Sequence, residues 1–117
     1  MTPPRLVCLI GAECTGKTTL AHALAEHCHG LWVPEYLRTF CDAQGRTPTR
    51  DDQSLIIKVQ IQQEAAALEA ARAQGRQWVF CDTAPLLTAI YSDYVFGDTS
   101  LYVLARTLHA RYALTLL

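Results

Sequence analysis

Gly11-Ala12-Glu13-Cys14-Thr15-Gly16-Lys17-Thr18 constrains this 117-residue chain more than any other stretch. Two glycines five positions apart, followed at once by lysine and threonine, form the pattern GxxxxGK[ST]. The glycines let the backbone curl until successive N–H groups converge on one point, an anion-binding concavity. A helix leaving that loop adds its positive N-terminal end. A lysine at the sixth position after the first glycine reaches outer phosphates, and the next hydroxyl can ligate Mg²⁺. The candidate nucleotide-binding set is therefore Gly11, Ala12, Glu13, Cys14, Thr15, Gly16, Lys17, Thr18 and Thr19. Lys17 is expected to face solvent when no ligand is present.

The flanks agree with that assignment. Arg5 to Ile10 is a short β-branched and aliphatic run halted by Gly11, which predicts a buried strand. Lys17 to Cys28 carries Leu20, Leu24 and Cys28 at helical spacing and ends near Gly30. Leu31-Trp32-Val33 predicts a second strand stopped by Pro34, with one or two helical turns over Glu35 to Asp42. Thr49 with Asp52 predicts the capping box of a long helix from about Arg50 to Gln74, closed by Gly75. Its apolar stripe is Ile57, Ile61, Ala65 and Leu68, with Gln60, Gln63, Glu64 and Arg72 expected on the wet side. Gln77 to Cys81 predicts a third strand, Leu86 to Phe96 and Ser100 to Arg111 two helices, and Tyr112 to Leu117 a fourth strand. Strands alternating with helices imply parallel βαβ units.

Asp82 closes an apolar strand, the arrangement that holds Mg²⁺ or its water in phosphate-loop enzymes. In a small kinase the same carboxylate can instead accept the proton of an attacking hydroxyl. The competing reading is a helix cap, with Asp82 or Thr83 placed before Pro85. Glu35 and Arg38 follow the second strand, and ligands of open α/β sheets sit beyond the carboxyl ends of the strands. A carboxylate there can bind sugar hydroxyls and an arginine can bind phosphate; alternatively the two form a surface ion pair at i, i+3.

Other features carry less. His27-Cys28-His29 sits at a helix end, where its side chains diverge and a histidine already complements the dipole. Cys14 has no base beside it. Tyr91, Tyr94 and Phe96 could stack on a base, yet at helical spacing they are read as core.

Composition removes whole classes. Half the residues are hydrophobic and 18% are charged, so the chain has enough apolar surface to fold. A net charge of −1 without a Lys/Arg run offers no field for a nucleic-acid backbone. Leu6 to Ile10 is the longest apolar run, too short to span a bilayer, and the first residues lack the long apolar stretch of a secretory signal. Five cysteines without a CxxC pair suit a reduced, cytoplasmic protein.

The glycine loop, Pro34-Glu35-Tyr36-Leu37-Arg38 and Cys81-Asp82-Thr83 follow one another in an order that resembles the NadR-like P-loop ATPases. The likeness runs from Leu6 to the last residue and includes Tyr91-Ser92 and Phe96-Gly97. The resemblance implies a kinase that moves the ATP γ-phosphoryl to the 5′-hydroxyl of nicotinamide riboside, with ATP and Mg²⁺ as cofactors. It implies Lys17 and Asp82 as catalytic groups, Thr18 and Asp82 as metal contacts, and Glu35, Tyr36 and Arg38 on the nucleoside side. Bifunctional relatives carry an adenylyltransferase domain before the kinase, and some members have an aromatic residue where Pro34 stands. The family also continues into a lid, a fifth strand and a last helix. The expectation is thus a three-layer α/β P-loop core spanning residues 1–117, with parallel sheet order 2-3-1-4, the fifth strand missing and the domain C-terminally incomplete. A second reading is a regulatory AAA-type ATPase or nucleotide-sensing module without small-molecule kinase activity. The expected partners are a nucleotide and a small nucleoside, with no nucleic acid and no membrane.

Overall fold

A computed structural model describes residues 3–11 and 16–117. The candidate positions Ala12, Glu13, Cys14 and Thr15 lie outside the described residues. In chain order the elements are β1 (Arg5–Leu9), α1 (Lys17–His27), β2 (Leu31–Val33), α2 (Tyr36–Gln44), α3 (Gln53–Gln74), β3 (Trp78–Asp82), α4 (Pro85–Phe96), α5 (Tyr102–His109) and β4 (Tyr112–Leu116). The four strands form one sheet in the order β2-β3-β1-β4, all parallel, as the alternation of elements predicts. Parallel strands are covered on both faces, so Leu6, Val7, Cys8 and Leu9 are buried without a break along β1.

The two sheet faces are packed differently. One carries Val7, Leu9 and Phe80 against Ala21 and Ala25 of α1. The other carries Leu6, Cys8, Val79 and Cys81 against Ala71 of α3, with Ala67 and Leu68 beside it. Ile57 of α3 joins Ala89 of α4 and Leu101 and Ala105 near α5 in a third cluster. Gly30 shows how closely α1 returns to the sheet: a Cβ there would stand 2.6 Å from the Trp78 carbonyl oxygen. No larger residue fits without moving backbone.

Two helix faces differ from expectation. In α1 the helical period is right but the buried positions are Ala21 and Ala25, while Leu20 is 49% exposed. Alanine lets the helix lie close on the strands, and the leucines one position earlier fall to its flank. In α3 the buried stripe is Gln53, Ile56, Ile57, Gln60, Glu64 and Ala71, whereas Ala65 is exposed. The expected wet residues Gln60 and Glu64 face inward because partners from other elements meet them. Thr49 does engage Asp52, but its N–H and hydroxyl both donate to the Asp52 carboxylate, at 2.8 and 2.9 Å. Among the described residues no helix is long and apolar enough to cross a membrane.

Candidate functional site

Three strand ends and one helix start converge. Gly11 follows β1, Glu35 follows β2 and Pro34, and Asp82 ends β3, whose register partner in β1 is Leu9. Gly16 precedes α1 with φ +80, a conformation that L side chains rarely adopt, and so sets the direction in which Lys17 leaves the loop. Lys17 Nζ lies 3.0 Å from Glu35 Oε2 and 3.5 Å from Asp82 Oδ1. The Thr18 hydroxyl donates to Asp82 Oδ2 at 2.6 Å. The lysine side chain is only 13% exposed, so it is not solvent-facing as expected; two carboxylates hold it inside the cleft.

Asp82 does not cap a helix. Ala84 occupies the N-cap of α4 with Pro85 following, and no side-chain cap bond forms. Thr83, between them, has φ +106, unusual for a β-branched residue; its N–H donates to the carbonyls of Leu9 and Cys81. That turn aims the Asp82 side chain back at α1. Nor do Glu35 and Arg38 form the surface pair: Glu35 binds Lys17, and Arg38 is exposed with no ion pair among the described residues.

Beside this charged cluster opens a cavity of about 300 Å³ walled by residues that include Lys17, Glu35, Ile56, Gln60, Leu87 and Tyr91. Thr83 and Tyr94 also line it. Tyr91 and Tyr94, read as core from their spacing, are 38% and 89% exposed instead. Of the remaining candidates, Thr19 is exposed on α1. Tyr36 contributes its backbone N–H, which donates to Gln60 Oε1 at 2.9 Å, and its ring packs edge-on against Phe40. The structure therefore brings together Lys17, Thr18, Glu35 and Asp82, with Gly11 on the cavity wall, and leaves Arg38 outside.

Mg²⁺ fits this donor set. Among the described residues Asp82 Oδ1 is buried with no hydrogen-bond partner, and Lys17 is its counter-charge at 3.5 Å. The Thr18 hydroxyl spends its hydrogen on Oδ2, which leaves its lone pairs for a cation.

The AAA domain family model matches residues 6–117. The chain belongs to that family. Among solved structures this AAA domain is similar to the NadR protein in complex with NR, at TM-score 0.83 and 26% identity over 97% of the chain. It is equally similar to NadR in complex with NAD and AMP-PNP, at TM-score 0.82 and 26% identity. In both cases it spans 33% of the solved chain. No curated protein matches the sequence. The AAA domain thus has the NadR-like P-loop fold that its motif order resembles, with a nucleotide-binding kinase or ATPase core.

Sequence reading missed Gln53, Gln60 and Glu64, all buried polar residues on α3. Their spacing of seven and four places them on one helical face with Ile56 and Ile57, and that continuity was the available signal.

Proposed function

We propose that this AAA domain is the core of a nucleoside kinase that transfers the γ-phosphoryl of ATP to the 5′-hydroxyl of nicotinamide riboside. The observation that carries this reading is the cavity of about 300 Å³ adjoining Lys17 and Glu35. A module that only hydrolyses or senses nucleotide has no need of a second, largely apolar chamber at the phosphate end. Such a volume is at the lower end of small-molecule sites, adequate for one nucleoside.

Each group has a part in that chemistry. The glycine-loop motif assigns the phosphate oxygens to the start of α1, and Lys17 leaves Glu35 to neutralise the outer phosphates. Thr18 and Asp82 would hold Mg²⁺, which would supply charge neutralisation on the phosphates. Glu35 accepts hydrogen bonds from sugar hydroxyls, and the Tyr91 face offers a flat surface to the heterocycle. The acceptor oxygen forms its bond to the γ-phosphorus as the bond to ADP breaks; in its alternative role, free of the cation, Asp82 receives the hydroxyl proton. Little covalent work falls to the protein, so positioning and charge dominate. The solved NadR complexes, one with NR and one with AMP-PNP, support both ligand classes for a domain of this fold.

The test is ADP release from Mg-ATP with and without nicotinamide riboside. Riboside-dependent release with formation of the mononucleotide is the expected result. Release at the same rate without riboside would instead favour the regulatory ATPase reading.

A further inference from the structure

Glu64 is fully buried in the middle of α3, where an unpaired carboxylate would be costly. It is paired on every side. Oε1 lies 2.8 Å from both the Tyr112 hydroxyl and Arg111 Nη2, and Oε2 lies 2.7 Å from Tyr112 and 3.4 Å from Gln60 Nε2. The register shift between Leu6 and Val7 in the β1–β4 pairing leaves Tyr112 in the α3-side cluster while Leu116 packs with the α1 side. Burial and the neighbouring Glu64 both push the Tyr112 phenol up, so it remains a donor.

A carboxylate accepts and cannot donate, whereas a glutamine amide has one donor end and one acceptor end. Glu64 therefore takes the NH₂ end of Gln60, and the carbonyl end must face away. There it meets the N–H of Tyr36, the first residue of α2, at 2.9 Å. That N–H is one of the orphan donors of a helix start. The N-cap residue is Glu35, and its own side chain makes no cap bond. Gln60 therefore anchors the first residue of α2 from another helix, directly beside Glu35, whose carboxylate reaches Lys17 at 3.0 Å and lines the cavity.

We propose that Glu64 is a positioning residue of the candidate site: it fixes the polarity of the Gln60 amide, which anchors the first residue of α2 and so holds the adjoining Glu35 where it meets Lys17 and the acceptor. The effect on the acceptor rests on the nucleoside-kinase reading; the amide orientation does not.

In Glu64→Gln the carboxamide keeps its oxygen toward Arg111 and Tyr112 and turns its NH₂ to Gln60. Gln60 then flips and sets a donor against the Tyr36 N–H. Hydrogen exchange on the full chain reads this directly. The Tyr36 amide should exchange roughly tenfold faster in Glu64→Gln, the scale of one lost hydrogen bond, while amides of β1 and β3 change less. Gln60→Leu should act alike, and the double variant should add nothing to either single one. Tyr112→Phe keeps the Glu64–Gln60 contact, so it should lower the melting temperature and leave Tyr36 protection intact. Should Glu64→Gln fail to fold, the apolar pair Glu64→Met with Tyr112→Phe removes the same acceptor without stranding a hydroxyl; the Gln60 amide is then unheld rather than reversed, and Tyr36 exchange should fall between the wild-type and Gln60→Leu values. In turnover, KM for nicotinamide riboside should rise about tenfold in Glu64→Gln while KM for Mg-ATP stays within about twofold. Unchanged Tyr36 exchange in the folded variants, or equal loosening by Tyr112→Phe, overturns the positioning role. Faster exchange with an unaltered riboside KM overturns its link to the acceptor. A wild-type chain that ignores riboside defeats the kinase reading alone, and Tyr36 exchange still decides the amide orientation.

Discussion

The Thr18 hydroxyl reaches Asp82 Oδ2 at 2.6 Å across a sequence separation of 64, joining the start of α1 to the end of β3. The contact exists because β1 and β3 are neighbours in register, Leu9 opposite Asp82, so that the chain leaving β1 re-enters helix beside that carboxylate. A strand-end acid and a loop hydroxyl thereby become one cation-ready pair.

Asp82→Asn keeps the side-chain shape and one acceptor for Thr18 but removes the charge. For a group that binds Mg²⁺ or takes the acceptor proton, kcat for riboside phosphorylation should fall by roughly 10²–10⁴. Mg-ATP affinity should fall by less than about tenfold, because the loop and Lys17 still hold the phosphates. Steady-state kinetics alongside calorimetric titration separate the two. Intact turnover in the variant would remove Asp82 from the chemistry.

Lys17→Met tests the phosphate contact and the ion pairs together. Loss of a charge-assisted contact should weaken Mg-ATP binding by roughly ten- to a hundredfold. Unlike a solvent-facing lysine, Lys17 also neutralises Glu35 and the buried Asp82, whose side chain is 2% exposed. Its loss should therefore cost about 1–2 kcal/mol of stability. Adding Glu35→Gln should return part of that stability and none of the affinity. Thermal melts and titration calorimetry on the single and double variants give both numbers.

Legibility followed distance along the chain. The loop from Gly11 to Thr18 is contiguous, so its spacing alone carried the assignment, and Asp82 stood out as an acid ending an apolar strand. The strand order, too, follows from parallel alternation and the likeness it supports. What stayed hidden depends on partners far away in sequence. Lys17 meets Glu35 at a separation of 18, and Glu64 meets Arg111 and Tyr112 at 47 and 48. Without those partners, Glu64 reads as a solvated charge on α3. Helix phase failed for a different reason: along α1, close packing on the sheet selected Ala21 and Ala25 over the larger Leu20 and Leu24.

Thr83 tests the turn that aims Asp82. A β-branched residue at φ +106 holds strain of about 1–3 kcal/mol, paid by the surrounding packing. Glycine adopts that conformation freely but adds unfolded-state entropy, costing about 0.5–1 kcal/mol. Thr83→Gly should accordingly be neutral to stabilising by roughly 1 kcal/mol in denaturant unfolding, the net of those two effects. A clear loss of stability would mean that the Thr83 side chain, 7% exposed, contributes more by packing than its backbone loses.

Alkaline pH should unfold the domain through groups that the fold keeps protonated. Burial pushes the Cys81 thiol and the Tyr112 phenol up from ordinary values of 9.0 and 10.0, Glu64 adding to both, and burial raises Cys8 as well. Between the ordinary and the raised value the native state holds a proton that the unfolded chain has released. Stability then falls as pH rises, since its slope follows the protons bound in the unfolded state minus those bound in the native state. The contribution is whole below about pH 9 and declines steadily above it. Melting temperatures from pH 7 to 11 should be level at first and then drop. In Tyr112→Phe the drop should be shallower, because one of the withheld protons no longer exists. A profile flat to pH 11 in both proteins would show that the Glu64 cluster opens to solvent before the domain unfolds.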